Sequence, residues 1–141
     1  MTEICLMFHE VGLKLNSGFH NSKNYKYVIS KSDFFRLLEQ SVIFSKKNNV
    51  KYSYTFDDGG ISNLHSAKVL YKLGLRGVFF IPTNYIGRYG FLTKKHILEI
   101  RDMGHEIGTH SHSHPMFLNK FSFENQSNEW LKSIEILEKI L

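Results

Sequence analysis

Short apolar runs alternate along this chain with longer stretches in which apolar residues recur every three or four positions. The run Glu3 to Phe8 reads as a buried strand that ends at His9-Glu10-Val11-Gly12. Ser30 or Ser32 caps a helix running to about Lys47, with Asp33 in its first turn and Phe34, Leu37, Leu38 and Ile43 on its apolar face. Asn48-Asn49 ends it. Lys51 to Phe56 alternates in polarity and reads as a second strand, delivering Asp57-Asp58-Gly59-Gly60. Ser62 or Asn63 caps the next helix, whose Leu64, Ala67, Leu70, Tyr71 and Leu73 fall at helical spacing before Gly74 stops it. Gly77 to Ile81 is a strand stopped by Pro82, Thr93 opens a helix through about Met103, and Gly104 closes it. His105 to Thr109 is a short strand. From Ser122 a last helix carries Trp130, Ile134, Leu137 and Leu141 on one apolar face.

Strand and helix alternating in this way argue for βα units and a parallel sheet, in which chemistry gathers at the C-terminal ends of the strands. Those ends carry His9, the pair Asp57 and Asp58, Pro82 with Thr83, and a histidine cluster, so all are expected at one rim. The polar segment Leu15 to Tyr25 is long for a connection within a domain, which points to a surface or binding role. No internal repeat beyond the βα period and no low-complexity segment interrupts the pattern.

Composition narrows the field by exclusion. With 141 residues, 42% hydrophobic and 22% charged, the chain has the makeup of one globular domain. The net charge of +5 comes from scattered single and paired basic residues, so nucleic-acid binding is not expected, and the aromatic residues sit in strands and on helix faces. Cys5 lies in an apolar run and reads as a small core residue rather than a nucleophile or disulfide partner. The N-terminus has no basic region before its apolar run, and no stretch approaches the ~18 apolar residues of a membrane span. A cytoplasmic protein without a signal peptide or membrane span is therefore expected.

The histidines change the picture. Of eight in the chain, four fall between His105 and His114, and three of these alternate in His110-Ser111-His112-Ser113-His114. On an extended strand residues i and i+4 lie roughly 13 Å apart, too far to share an ion, whereas on a helical turn they are neighbours. If His110 and His114 act together, the strand must end near Thr109 and the chain must curl, with Pro115 turning His114 away from helical torsions. The pair His110 and His112 is the extended alternative. Two adjacent acids repel, and a bound cation is a common way to keep one of them ionised. An Asp and two His leave positions open for water and substrate, the pattern of a catalytic site, and nitrogen and oxygen donors suit Zn²⁺, with Co²⁺, Ni²⁺ or Mn²⁺ also compatible. Such an ion acidifies water and polarises a carbonyl, and the second Asp is then placed to take a proton.

These residues resemble a known family. Thr55-Phe56-Asp57-Asp58-Gly59 and His110-Ser111-His112-Ser113-His114-Pro115 are similar to the first two motifs of the polysaccharide deacetylases, carbohydrate esterase family 4, also called the NodB homology domain. The connecting Gly77 to Ile81 and Gly104-His105-Glu106-Ile107-Gly108 fit its usual pattern, and Leu6-Met7-Phe8-His9 looks like its first strand. The resemblance spans roughly Ile4 to Pro115 and implies an α/β fold, a distorted (β/α) barrel of the glycoside hydrolase/deacetylase type, here reduced to about four βα units. It implies metal-dependent removal of N- or O-acetyl groups from an acetylated oligo- or polysaccharide. Asp57 takes the role of general base, while Asp58, His110 and His114 are the metal ligands. His112 falls at the variable position between them and reads as a rim residue; Thr55 and Gly59 shape the strand end. His9 is a candidate substrate contact or substitute acid.

The resemblance also has a limit. Later family motifs supply an Arg that positions the base, an acidic and aromatic stretch lining the site, and a His that protonates the leaving group, and this chain reaches Leu141 before any of them. Residues 1–141 are thus expected to form a partial domain carrying the metal half of the site. A non-catalytic metal- or carbohydrate-binding remnant, or a fragment completed by another chain or a further copy of itself, is the alternative, supported by the apolar face from Trp130 to Leu141.

Overall fold

A computed structural model of the chain describes residues 2–12, 17–19 and 25–141. Most of the loop expected between Leu15 and Tyr25 lies outside the described residues. Among those described, strands β1 (Thr2–Phe8), β2 (Glu10–Val11) and β3 (Val28–Ile29) precede helix α1 (Lys31–Asn48). Then follow β4 (Val50–Phe56), α2 (Ser62–Lys72), β5 (Val78–Ile81), α3 (Lys94–Asp102), β6 (Glu106–Thr109) and α4 (Phe123–Glu138).

The main sheet runs β1-β4-β5-β6, all parallel, and β2 and β3 form a separate small parallel pair. Spatial order follows chain order with no reversal. Right-handed crossovers between successive neighbours therefore place every helix on the same face, the winding of a βα barrel rather than of a doubly wound sheet. The expected four βα units are present.

Alternation along the strands divides the sheet into two unlike faces. Phe8, Phe56 and Phe79 project to the helix side and stack across β1, β4 and β5, with ring centroids 5.3 and 4.6 Å apart. Phe34 and Leu38 of α1, Ala67 and Leu70 of α2, Ile97 and Ile100 of α3 and Leu137 of α4 close over them. Truncating a ring in this stack to Ala is worth about 3–5 kcal/mol. On the opposite face Glu3, Cys5, Met7, Lys51 and Glu106 are exposed and Ser53, Thr55, Val78 and Phe80 half-buried.

This division corrects the reading of Glu3 to Phe8 as a buried strand. β1 is an edge strand with one covered face, so Cys5 is exposed rather than in the core, and Met7 is 60% exposed. Periodicity alone could not reveal this, because an apolar run does not say how many of its faces are covered.

Helix boundaries follow the expected chemistry, with adjustments. Ser30, not Ser32, caps α1, its Oγ accepting from Asp33 N at 3.0 Å, and left-handed Asn49 (φ 52°) ends the helix. Thr93 and Ser122 cap α3 and α4 as expected. Neither Ser62 nor Asn63 caps α2: Ile61 occupies that position, and both side chains serve the site described below. The buried face of α1 is Phe34-Leu38-Ser41, while Ile43, nine residues and so about half a turn round from Phe34, is exposed. On α4 only Ser133 and Leu137 are buried; Trp130 and Ile134 remain exposed, as does Leu141 beyond the helix end.

His105 belongs to the core and not to the histidine centre. It is 4% exposed, with Gly77 N donating to Nδ1 at 3.2 Å, so Nε2 carries the proton and donates to Ala67 O at 2.9 Å. Burial pushes its pKa below the ordinary 6.5. The unfolded chain then takes the proton first, and the stability His105 contributes is complete above about pH 6.5 and is lost as pH falls below it. His105→Gln is expected to lower Tm at pH 7.5 and to flatten the further loss between pH 6.5 and 5; thermal melts of both proteins across that range check this.

Candidate metal centre

β4 and β6 end at one rim on either side of β5, and both ends turn sharply. After Phe56 the chain keeps one more link to β1, with Asp57 N donating to Phe8 O at 2.9 Å, and then reverses through left-handed Asp58 (φ 72°) and Gly59 (φ 60°). After Thr109, His110 N still donates to Ile81 O at 3.1 Å, and the turn follows through left-handed Ser111 (φ 63°) and His114 (φ 54°). Left-handed torsions at non-glycine residues cost on the order of 1–3 kcal/mol each and persist only where the surroundings enforce them. Here they sit at or beside the candidate ligands.

The two reversals bring three side chains to a point. His110 Nε2 lies 3.4 Å and His114 Nε2 3.2 Å from the same oxygen, Asp58 Oδ1. The imidazole centroids are 4.9 Å apart, and one ligand atom from each of the three residues lies within 4.8 Å of the others. Ligand atoms about 2.0–2.2 Å from one tetrahedral ion are themselves roughly 3.3–3.6 Å apart. The donor set and two of its three separations therefore fit a divalent cation. Of the two histidine pairings open from spacing, the curled one, His110 with His114, is the one formed.

The two carboxylates differ electrostatically. Burial opposes ionisation of Asp58, but hydrogen bonds from His110 and His114 outweigh it and hold the carboxyl well below the usual range. At Asp57 burial prevails, with the charge of Asp58 adding to it, and the carboxyl is pushed above its ordinary 3.8 despite His110, His9 and His114 nearby. Burial likewise works against a charge on His110, yet its hydrogen bond to Asp58 and the charges of both acids raise its pKa above 6.5.

His112 turns away from the centre, and its Nδ1 meets Thr83 Oγ1 at 2.9 Å. His9, at the end of β1, is outside the three-residue cluster. It packs against Tyr27 with ring centroids 4.9 Å apart and lines a cavity of about 310 Å³ with Met7, Phe8, Lys26, Val28 and Ile29.

Several residues that the sequence pattern did not single out support this rim. Ser62 Oγ donates to Glu10 Oε2 at 2.5 Å and accepts from Val11 N at 3.2 Å, while Ser62 N donates to Ser17 Oγ at 2.9 Å. Asn63 Nδ2 holds Asp57 O at 3.1 Å. The start of α2 is thereby tied to β2 directly behind the paired acids. Gly60 is required for this approach, since a Cβ there would stand 2.0 Å from Glu10 Oε1. Phe19 stacks on His114 at 4.5 Å and meets Tyr85 and Phe91 edge-on. Glu129 of α4 accepts from His112 N, Ser113 N and Ser113 Oγ at 3.1, 2.7 and 2.8 Å. Ser62 was legible only as a helix cap, and Glu129 gave no signal in a helix rich in polar residues.

A singly wound parallel sheet whose strand ends bring Asp58, His110 and His114 together beside a second acid has the α/β architecture of a βα barrel. The chain belongs to the polysaccharide deacetylase family, whose profile matches residues 45–141, well over half of its length. Among solved structures, the Streptococcus pyogenes deacetylase PplD, solved in complex with acetate, is 20% identical with a TM-score of 0.79, covering 100% of this chain and 70% of its own. A polysaccharide deacetylase from Bacillus cereus is 22% identical with a TM-score of 0.79, over 99% of this chain and 48% of its own. IcaB from Ammonifex degensii is 19% identical with a TM-score of 0.76, over 99% and 69%. At such identities these structures speak to the fold. This chain spans between about half and seven tenths of their lengths. Comparison with curated protein sequences gives no match.

Asn tolerates left-handed torsions, so Asp58→Asn removes the charge without disturbing the turn. It is expected to lower Zn²⁺ affinity by more than the ~10–100-fold that loss of an outer partner costs. Asp57→Asn is expected to leave metal content near one equivalent, and metal analysis of the dialysed proteins checks both.

Proposed function

We propose that this chain carries the metal-binding half of a carbohydrate deacetylase centre, a hydrolase site that removes N- or O-acetyl groups from an oligo- or polysaccharide. The observation that supports this best is the meeting of His110 and His114 on one oxygen of Asp58, with a second acid of raised pKa next to it. Asp58, His110 and His114 would hold a divalent ion, Zn²⁺ first, with Co²⁺, Ni²⁺ or Mn²⁺ compatible with the same donors. Bound there, the ion supplies Lewis acidity that polarises an acetyl carbonyl and acidifies water.

Asp57 is the general base. Burial raises its affinity for a proton while Asp58 keeps its own charge, so the two acids divide the work instead of competing. Asn63 fixes the backbone of Asp57 and thereby aims its carboxyl. In this reading His9, which packs against Tyr27 and lines the cavity beside it, is a substrate contact. Acetate bound to the S. pyogenes deacetylase, a protein of the same fold, supports an acetyl-releasing reaction as the chemistry of this site.

A second reading, in which the chain holds metal but needs a partner chain for turnover, is favoured by the exposure of Cys5, Met7, Trp130 and Ile134. Acetate release from chitooligosaccharides, peptidoglycan sugars and acetylated xylan separates the two. If the metal-binding half turns over without a partner chain, the Zn²⁺-loaded protein releases acetate and Asp57→Asn lowers the rate ~10²–10⁴-fold. One equivalent of bound metal with no acetate released from any of them leaves the second reading standing. Absence of metal binding rejects both.

A further inference from the structure

We infer that Glu129 is a positioning residue for the metal centre, holding the Ser111–Ser113 turn in the conformation that brings His110 and His114 together. The inference rests on the metal-binding reading of Asp58, His110 and His114. It goes beyond it by assigning a task to a residue on α4, on an element that contributes no ligand.

The backbone N–H groups of His112 and Ser113, which follow left-handed Ser111, converge on one acceptor, as in the anion-binding concavities that turns form. Glu129 is that acceptor. Its Oε2 accepts from both His112 N at 3.1 Å and Ser113 N at 2.7 Å, and its Oε1 accepts from Ser113 Oγ at 2.8 Å. These three donors lie between the two ligating histidines in sequence.

A different element grips other atoms of the same turn. Thr83 N donates to Ser111 O at 3.3 Å, Asn84 N to His112 O at 2.9 Å, and Thr83 Oγ1 meets the His112 ring. Within the turn, Ser111 Oγ accepts from His114 N at 3.1 Å, which sets the direction in which His114 leaves it. The turn's carbonyls are thus held by the segment after β5 and its amides by Glu129. α4 is itself fixed under β6, where Thr109 Oγ1 donates to the fully buried Ser133 Oγ, one helical turn from Glu129. A carboxylate on a docked helix is a rigid template. Without it, two adjacent N–H groups lose their acceptor, and the left-handed torsion at Ser111 loses the part of its support that comes from α4.

The test uses the full 141-residue chain with Zn²⁺ and Co²⁺ as probes. Zn²⁺ affinity is read by competition with a chromogenic chelator, ligand geometry by the visible spectrum of the Co²⁺-loaded protein, and folding by thermal melts of the metal-free protein. Glu129→Ala is expected to weaken Zn²⁺ binding ~10–100-fold and to shift the Co²⁺ bands. Glu129→Gln, whose amide oxygen still accepts from both backbone N–H groups, is expected to recover most of the affinity and the wild-type spectrum. A folded Glu129→Ala protein with wild-type affinity and spectrum overturns the inference, even if its Tm is lower, because Glu129 would then only stabilise the fold. Should Glu129→Ala fail to fold, Ser113→Ala removes one of the three contacts and is expected to give a smaller loss in the same direction; unchanged affinity there overturns the inference. A wild-type chain that binds neither ion overturns the metal-centre reading and this inference with it.

Discussion

Three side chains from two strand ends have to meet at one carboxylate oxygen, and much of the local structure follows from that requirement. An extended continuation of β6 would carry His114 about 13 Å beyond His110. The chain therefore reverses immediately, at Ser111 and again at His114, as β4 reverses at Asp58 and Gly59. Each reversal uses torsions that L residues disfavour, so each needs external support. At the β4 end the support is the Glu10–Ser62 contact and Asn63; at the β6 end it is the segment Thr83–Asn84, Glu129 and the stacked ring of Phe19. Strain at the centre and hydrogen bonds behind it belong to one arrangement.

The same constraint separates the roles of two adjacent acids. Along the backbone Asp57 and Asp58 are neighbours of identical type, but the left-handed turn at Asp58 points one toward both imidazoles and leaves the other facing partly buried space. Hydrogen bonding keeps Asp58 ionised, and desolvation makes Asp57 a better proton acceptor. The proposed ligand and the proposed base thus have pKa values moved in opposite directions by different surroundings.

The sheet that carries this rim has unlike faces. Stacked Phe8, Phe56 and Phe79 under four helices make the helix side a close-packed core, so the positions of the strand ends, and hence of the ligands, are set by packing well below them. The other side is the side that would line a barrel's interior, and there Cys5, Met7, Lys51 and Glu106 stay exposed. That the related structures extend over a greater length than this chain accords with such a division.

Legible along the chain were the βα order, the parallel sheet and the rim at which the candidate residues gather, because these depend on local regularities: periodicity, capping residues and glycine stops. That Asp58 rather than Asp57 meets His110 and His114 was implied by the family resemblance; spacing alone also allowed His110 with His112. Packing between distant segments decided which face of β1 is covered, so that Cys5 and Met7 are exposed; which side of α1 and α4 is buried, leaving Ile43 and Trp130 outside; and that His105 is a core residue while His112 pairs with Thr83. It also decided that Ser62 and Asn63 brace the rim instead of capping a helix, that Glu129 holds the turn between His110 and His114, and that Phe19 stacks on His114. None of these is local. Each depends on which distant segment packs against the residue, and amino-acid type and spacing carry no record of that.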